Sequence, residues 1–180
     1  MQSTKAMARG AALCVFMAGA GLGAAHAQNL DLFKVALCDP PYTMDLGQTV
    51  YDQLEKSGKP ETRSMVAFYK LPSPLQRDGF VAKEAMVTQD FLGLAIDGQR
   101  AEELAARYKL KATKTLGATK SFERALPAEQ QPEPSLFGPG KVSIVARESA
   151  AMPGQTLFGC EFVTDANRKA MDELLKDMKK

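Results

Sequence analysis

The sequence predicts an α+β fold, an antiparallel-rich sheet of about six to seven strands with three helices packed on one face. Three observations carry this expectation. Two pairs of β-rich runs are each separated by a turn-rich segment, as in hairpins. Three segments place apolar residues at helical spacing, and they do not alternate regularly with strands as a doubly wound sheet requires. Two cysteines, Cys38 and Cys160, lie near opposite ends of the chain and can join them.

Residues 32–37 alternate loosely, with Phe33, Val35 and Leu37 on one side, and predict a first strand. Cys38-Asp39-Pro40-Pro41 ends it, because proline cannot continue a ladder. Strict alternation would leave Cys38 on the face of Lys34. Asp45 is the expected cap of a helix, with Gln48 three residues on. Leu46, Val50, Tyr51 and Leu54 form its apolar stripe, and Gly58 and Pro60 stop it.

Residues 63–71 and 79–88 predict a hairpin around the proline-rich loop 72–78. Residues 91–96 read as a short buried strand interrupted by Gly93. Asp97-Gly98 then opens a helix striped by Ala101, Leu104, Ala105 and Tyr108. Residues 111–124 alternate as one strand, with Gly117 as a bulge or turn. Residues 127–140 hold four of the ten prolines and predict a loop. Residues 141–147 and 156–163 form the second hairpin, with Phe158, Cys160 and Phe162 on one face. Thr164 or Asp165 caps a last helix with a core stripe of Ala166, Ala170, Met171, Leu174, Leu175 and Met178. Lys176, Lys179 and Lys180 favour its dipole.

Residues 1–27 have the pattern of a cleaved secretory leader. Lys5 and Arg9 make a basic start, residues 10–25 are uncharged and rich in Ala and Gly, and Ala25-His26-Ala27 precedes the expected cut. The apolar run is shorter than a bilayer span and broken by glycines. Residues 28–180 are then one exported domain, expected in the periplasm or secreted.

Cleavage changes the chemistry available. The only histidine, His26, leaves with the leader, and the chain has no Trp. Histidine-dependent nucleophilic catalysis and His-ligated metal sites lose their key residue. The full chain has 23 Lys plus Arg against 21 Asp plus Glu, and the leader holds two of the basic residues and no acid, so the remainder stands at 21 against 21. A balanced chain argues against a nucleic-acid binder, whose affinity comes from many phosphate contacts. The surviving cysteines, Cys38 and Cys160, predict a disulfide in an oxidising compartment. No cofactor is expected.

The candidate binding residues are Tyr42, on a stiff proline loop, and a basic stretch that includes Lys109, Lys111, Lys114, Lys120 and Arg124. In a strand, Lys109 and Lys111 would share a face, as would Lys120 and Arg124. Lysines on an edge strand also serve to keep it soluble. Phe137, in the proline-rich segment 132–137, is a further candidate contact. Asp39, Glu84, Asp90 and Asp97 are the acids that a carboxylate-dependent hydrolase could use, although their spacing shows no convergence. No nucleophile motif of the Ser-x-x-Lys or Gly-x-Ser-x-Gly type follows the leader. The sequence therefore favours a non-catalytic exported binding protein, with a protein or an anionic envelope component as partner. The alternative is a hydrolase acting on an envelope polymer.

Overall fold

A computed structural model describes residues 29–63, 66–132 and 138–177. The expected leader and Phe137 lie outside the described residues. The described chain forms one eight-stranded antiparallel sheet with four α-helices, and so agrees with the predicted class. The helices are α1 (Leu32–Ala36), α2 (Met44–Glu55), α3 (Ala101–Tyr108) and α4 (Asp165–Asp177). The strands are β1 (Glu61–Arg63), β2 (Val66–Arg77), β3 (Phe80–Val87), β4 (Phe91–Asp97), β5 (Lys111–Ala112), β6 (Lys120–Ala125), β7 (Gly140–Glu148) and β8 (Gln155–Thr164).

The strand order is β1-β2-β3-β4-β8-β7-β6-β5. Two four-stranded meanders thus meet at β4 and β8. The chain leaves β4, crosses through α3 to the far edge, and returns strand by strand. Both outer strands are short, three residues in β1 and two in β5, which limits edge-to-edge pairing.

The first expected strand is instead α1. Asp31 caps it, its Oδ1 accepting from the N–H groups of Phe33 and Lys34 at 3.0 and 3.2 Å. The helix buries Leu32, Phe33, Val35 and Ala36 and packs on β4 and β8. With the segment helical, strand alternation no longer governs where Cys38 points. Cys38 follows the helix at φ 57° and bonds to Cys160 in the middle of β8. Both cysteines are buried.

Other local expectations shift as well. Thr43, not Asp45, caps α2 by accepting from the Leu46 N–H at 3.1 Å. Val50 and Leu54 are buried, whereas Tyr51 stays exposed. β2 runs through Pro72 and Pro74, and the register with β3 shifts between Lys70 and Leu75. The prolines are tolerated because β1 pairs only with Val66–Phe68 of β2, leaving the rest as an edge. The turn sits at Asp78-Gly79, both at positive φ (53° and 83°), a pairing suited to a two-residue hairpin.

Helix α3 has no side-chain cap of its own. The sheet supplies one. The buried Glu148 carboxylate accepts from the Ala101 N–H at 2.9 Å, and the Thr156 hydroxyl accepts from the Arg100 N–H at 2.8 Å.

The main core lies between the sheet and helices α1, α2 and α3, centred on Leu92, Leu94, Ile96, Ile144 and Phe158. The opposite face has a smaller cluster of Phe68, Met86, Phe91, Ala95 and Val145. Gly93 and Gly159 pair across β4 and β8, and a Cβ on either would come within 2.5 Å of the Phe91 ring. The ring lies in the space the two glycines leave.

Arginine–glutamate pairs lie on the same face as this second cluster. Arg63 stacks over Phe68 at 4.0 Å and bonds to Glu84 at 2.6 Å. Arg147 and Glu161 make two bonds of 2.5 Å. Arg168 of α4 reaches Glu123 at 3.1 Å. Helix α4 does not bury its expected stripe. None of its described residues is buried; Leu174 is 54 % exposed, and Met171 and Leu175 are only half-buried. Met178 lies outside the described residues. Thr164 does cap it, accepting from the Asn167 N–H at 3.1 Å.

Candidate functional site

The expected strand over residues 111–124 divides into β5 and β6, joined by a turn at residues 113–119. Gly117, at φ 76°, takes the left-handed conformation that lets the chain reverse. The turn is tied down by backbone bonds, Thr113 N–H to Ser121 C=O at 2.9 Å and Ala118 N–H to Thr115 C=O at 3.2 Å. Thr119 adds two bonds to the Glu148 carbonyl, from its N–H at 2.8 Å and its hydroxyl at 3.1 Å. Thr115 and Ser121 hydroxyls lie 2.9 Å apart. The hairpin is therefore a fixed platform at the sheet edge.

Its charge is one-sided. Between Glu103 and Glu123 the chain has no acid and five basic residues, Arg107, Lys109, Lys111, Lys114 and Lys120. The fold separates these into two groups. Arg107 bonds to Asp78 and Lys120 to Glu102 at 2.9 Å, and the hydrogen bond to Glu102 raises the Lys120 pKa. Arg124 is half-buried and donates to the Tyr108 carbonyl at 3.1 Å. Lys120 and Arg124 thus do share a face, but both turn toward α3 and are engaged there.

Lys109, Lys111 and Lys114 are exposed and have no ion-pair partner among the described residues. Lys109 and Lys111 do not share a strand face, because Lys109 is the left-handed cap of α3 at φ 58°. Proximity along residues 109–114, not strand periodicity, groups the three. The sequence reading missed Leu116. It lies at the turn and is 46 % exposed, one of four exposed large apolar side chains among the described residues. Its position immediately before Gly117 in a lysine-flanked turn was the available signal.

Tyr42 is not available as a surface anchor. It is 4 % exposed, stacks on Phe162 with ring centroids 6.0 Å apart, and donates its hydroxyl proton to the Gln89 carbonyl. Burial, and then the charge of Asp90, raises its pKa. The proline loop presses the ring into the core.

The four candidate acids are engaged separately or exposed. Asp39 is exposed, Asp90 accepts from the Thr88 hydroxyl at 2.7 Å, and Asp97 pairs with Lys83 at 2.5 Å. Glu84 bonds to Gln155 and Arg63. Burial alone would raise its pKa, but those bonds and the Arg63 charge outweigh it and hold the pKa low. Glu123, absent from the sequence reading, behaves likewise. Burial is outweighed by hydrogen bonds from Ser143 and Arg168, and its pKa is lowered. A general acid needs the opposite shift.

A cleft of about 870 Å³ lies between α1, α2 and the free edge of β2. Its rim is closed by Arg77, which bonds to Asp31 at 2.7 Å. A smaller cleft of about 300 Å³ lies beside Thr88, Asp90 and Asn167. No group of three or more His, Cys, Asp or Glu residues that could hold a metal is present among the described residues. No described helix is long and apolar enough to cross a membrane.

No family model matches the chain. No curated protein and no solved structure matches it either.

Proposed function

We propose that this chain is an exported, non-catalytic binding protein that holds an anionic component of the cell envelope on the β5–β6 hairpin. The observation that carries the reading is the trio Lys109, Lys111 and Lys114, exposed and without ion-pair partners among the described residues, running from the end of α3 through β5 into the turn. Edge protection accounts for lysines beside a short strand. It does not account for an exposed leucine at the same turn. The buried disulfide is compatible with an extracytoplasmic location, where such a bond persists. The leader pattern of residues 1–27 supports export to the periplasm, with secretion from the cell as the alternative.

The charge balance makes the reading testable. After removal of the leader the chain is formally neutral, so retention on a polyanion must come from a local patch. The mature protein should be retained on phosphocellulose at low salt, and the triple variant Lys109→Glu, Lys111→Glu, Lys114→Glu should elute in the void. Equal elution of the two proteins would defeat the proposal.

A further inference from the structure

Resting on that reading, we infer that the anionic partner is the surface of a lipid bilayer, with Leu116 entering the interface between the lysines. Three features of the hairpin distinguish this partner from a soluble anion. First, the apex is apolar and small, Leu116-Gly117-Ala118, and Lys114 and Lys120 flank it in the chain. Apolar residues at the centre and basic residues at the rim match the layering of an anionic membrane, hydrocarbon below and phosphate above.

Second, the lysines line neither of the two clefts described above, whereas a small phosphate is held by converging donors in a concavity. A bilayer needs no such concavity, because its headgroups rearrange around an exposed turn. Third, Lys109, Lys111 and Lys114 have no ion-pair partner among the described residues, so each can lay its aliphatic stem along the interface while its ammonium stays among the phosphates. The hydrogen bonds that tie the turn to Ser121 and Glu148 fix the loop before it meets the surface, which limits the ordering required on binding.

The chain contains no tryptophan, so Leu116→Trp places a unique fluorophore at the apex. The mature, disulfide-bonded protein would be titrated with vesicles of phosphatidylglycerol and phosphatidylethanolamine, and separately with phosphatidylcholine. The expected result is a blue shift and quenching by brominated lipid on the anionic vesicles only, abolished in 0.5 M salt. Co-sedimentation of the Lys111→Ala, Lys114→Ala variant should show about a thirtyfold loss of partitioning, equivalent to about 1 kcal/mol per lysine near an anionic surface. Leu116→Ala, which keeps every charge, should lose roughly tenfold, since partial insertion removes only part of ~0.8 kcal/mol per CH2.

An unshifted indole, with no vesicle binding but charge-dependent retention on phosphocellulose, would overturn the lipid inference and leave the anion-binding reading standing. Vesicle binding that is indifferent to Leu116→Ala would also overturn it, because a charge-only contact needs no insertion. Loss of both vesicle binding and resin retention would remove the two together.

Discussion

The disulfide between Cys38 and Cys160 allows the most direct test of what holds this fold together. The perturbation is the double substitution Cys38→Ala, Cys160→Ala. The two residues are 122 positions apart, so the bond closes nearly the whole described chain into one loop. For a loop of that length the chain-entropy relation gives about 5 kcal/mol at 25 °C. Two buried sulfur atoms also leave contact, adding about 1 kcal/mol each at most. The entropic part therefore dominates, and it acts on the unfolded chain. For a domain of this size 1 kcal/mol corresponds to about 2–4 °C in the melting midpoint, so the variant should melt about 10–20 °C lower. Circular dichroism melts of the oxidised wild type, the double variant and Cys38→Ala alone would measure this. The single and double variants should agree within ~1 kcal/mol, because either substitution removes the tether. A drop of less than about 4 °C would refute the reasoning, since the unfolded chain would then not be meaningfully constrained by the bond.

Gly159→Ala should destabilise the sheet by about 1–3 kcal/mol in urea unfolding, because its Cβ would meet the Leu92 carbonyl and the Phe91 ring at 2.5 Å. Stability unchanged by this substitution would mean the Phe91 ring does not occupy the glycine gap. Glu148→Ala should cost about 1.5–3 kcal/mol and speed amide exchange at the start of α3, whose Ala101 N–H would lose its charged acceptor. Glu84 and Glu123 have folded pKa values held below the ordinary glutamate value of 4.5, so their contribution is full above pH 4.5 and is lost as pH falls through the lowered values. The urea midpoint should accordingly hold from pH 7 to about 5 and then fall, and Glu84→Gln with Glu123→Gln should flatten that acid limb. Charge reversal at Lys109, Lys111 and Lys114 should leave the unfolding free energy within about 0.5 kcal/mol of wild type while abolishing polyanion retention, since the three side chains are solvated.

Part of the hairpin site could be read in advance. An acid-free run with five basic residues is visible in composition, and Gly117 marks a turn. Which lysines are free could not be read, because that depends on where Glu102 and Asp78 arrive. They come from α3 and from the β2–β3 turn, and they neutralise Lys120 and Arg107. The same limit explains the charged pairs on the face of Phe68 and Phe91. Arg147 and Glu161 lie on adjacent strands, and Arg168 and Glu123 are 45 positions apart. Tyr42 shows the limit in reverse, a residue on an apparently exposed loop whose ring is taken up by Phe162.

By itself the sequence determined the α+β class, the pairing of Cys38 with Cys160, the hairpin of β7 with β8, and the helices α2, α3 and α4. Each follows from side-chain periodicity, local turn chemistry or a cysteine count, and these act over a few residues or need no geometry. Only the tertiary structure decided that residues 32–36 form a helix, that β2 continues through two prolines, that α4 buries none of its described residues, and that Lys109, Lys111, Lys114 and Leu116 are exposed beside the short edge strand β5. In each case a short local signal is weak, and the deciding energy comes from what distant strands and helices bring against it.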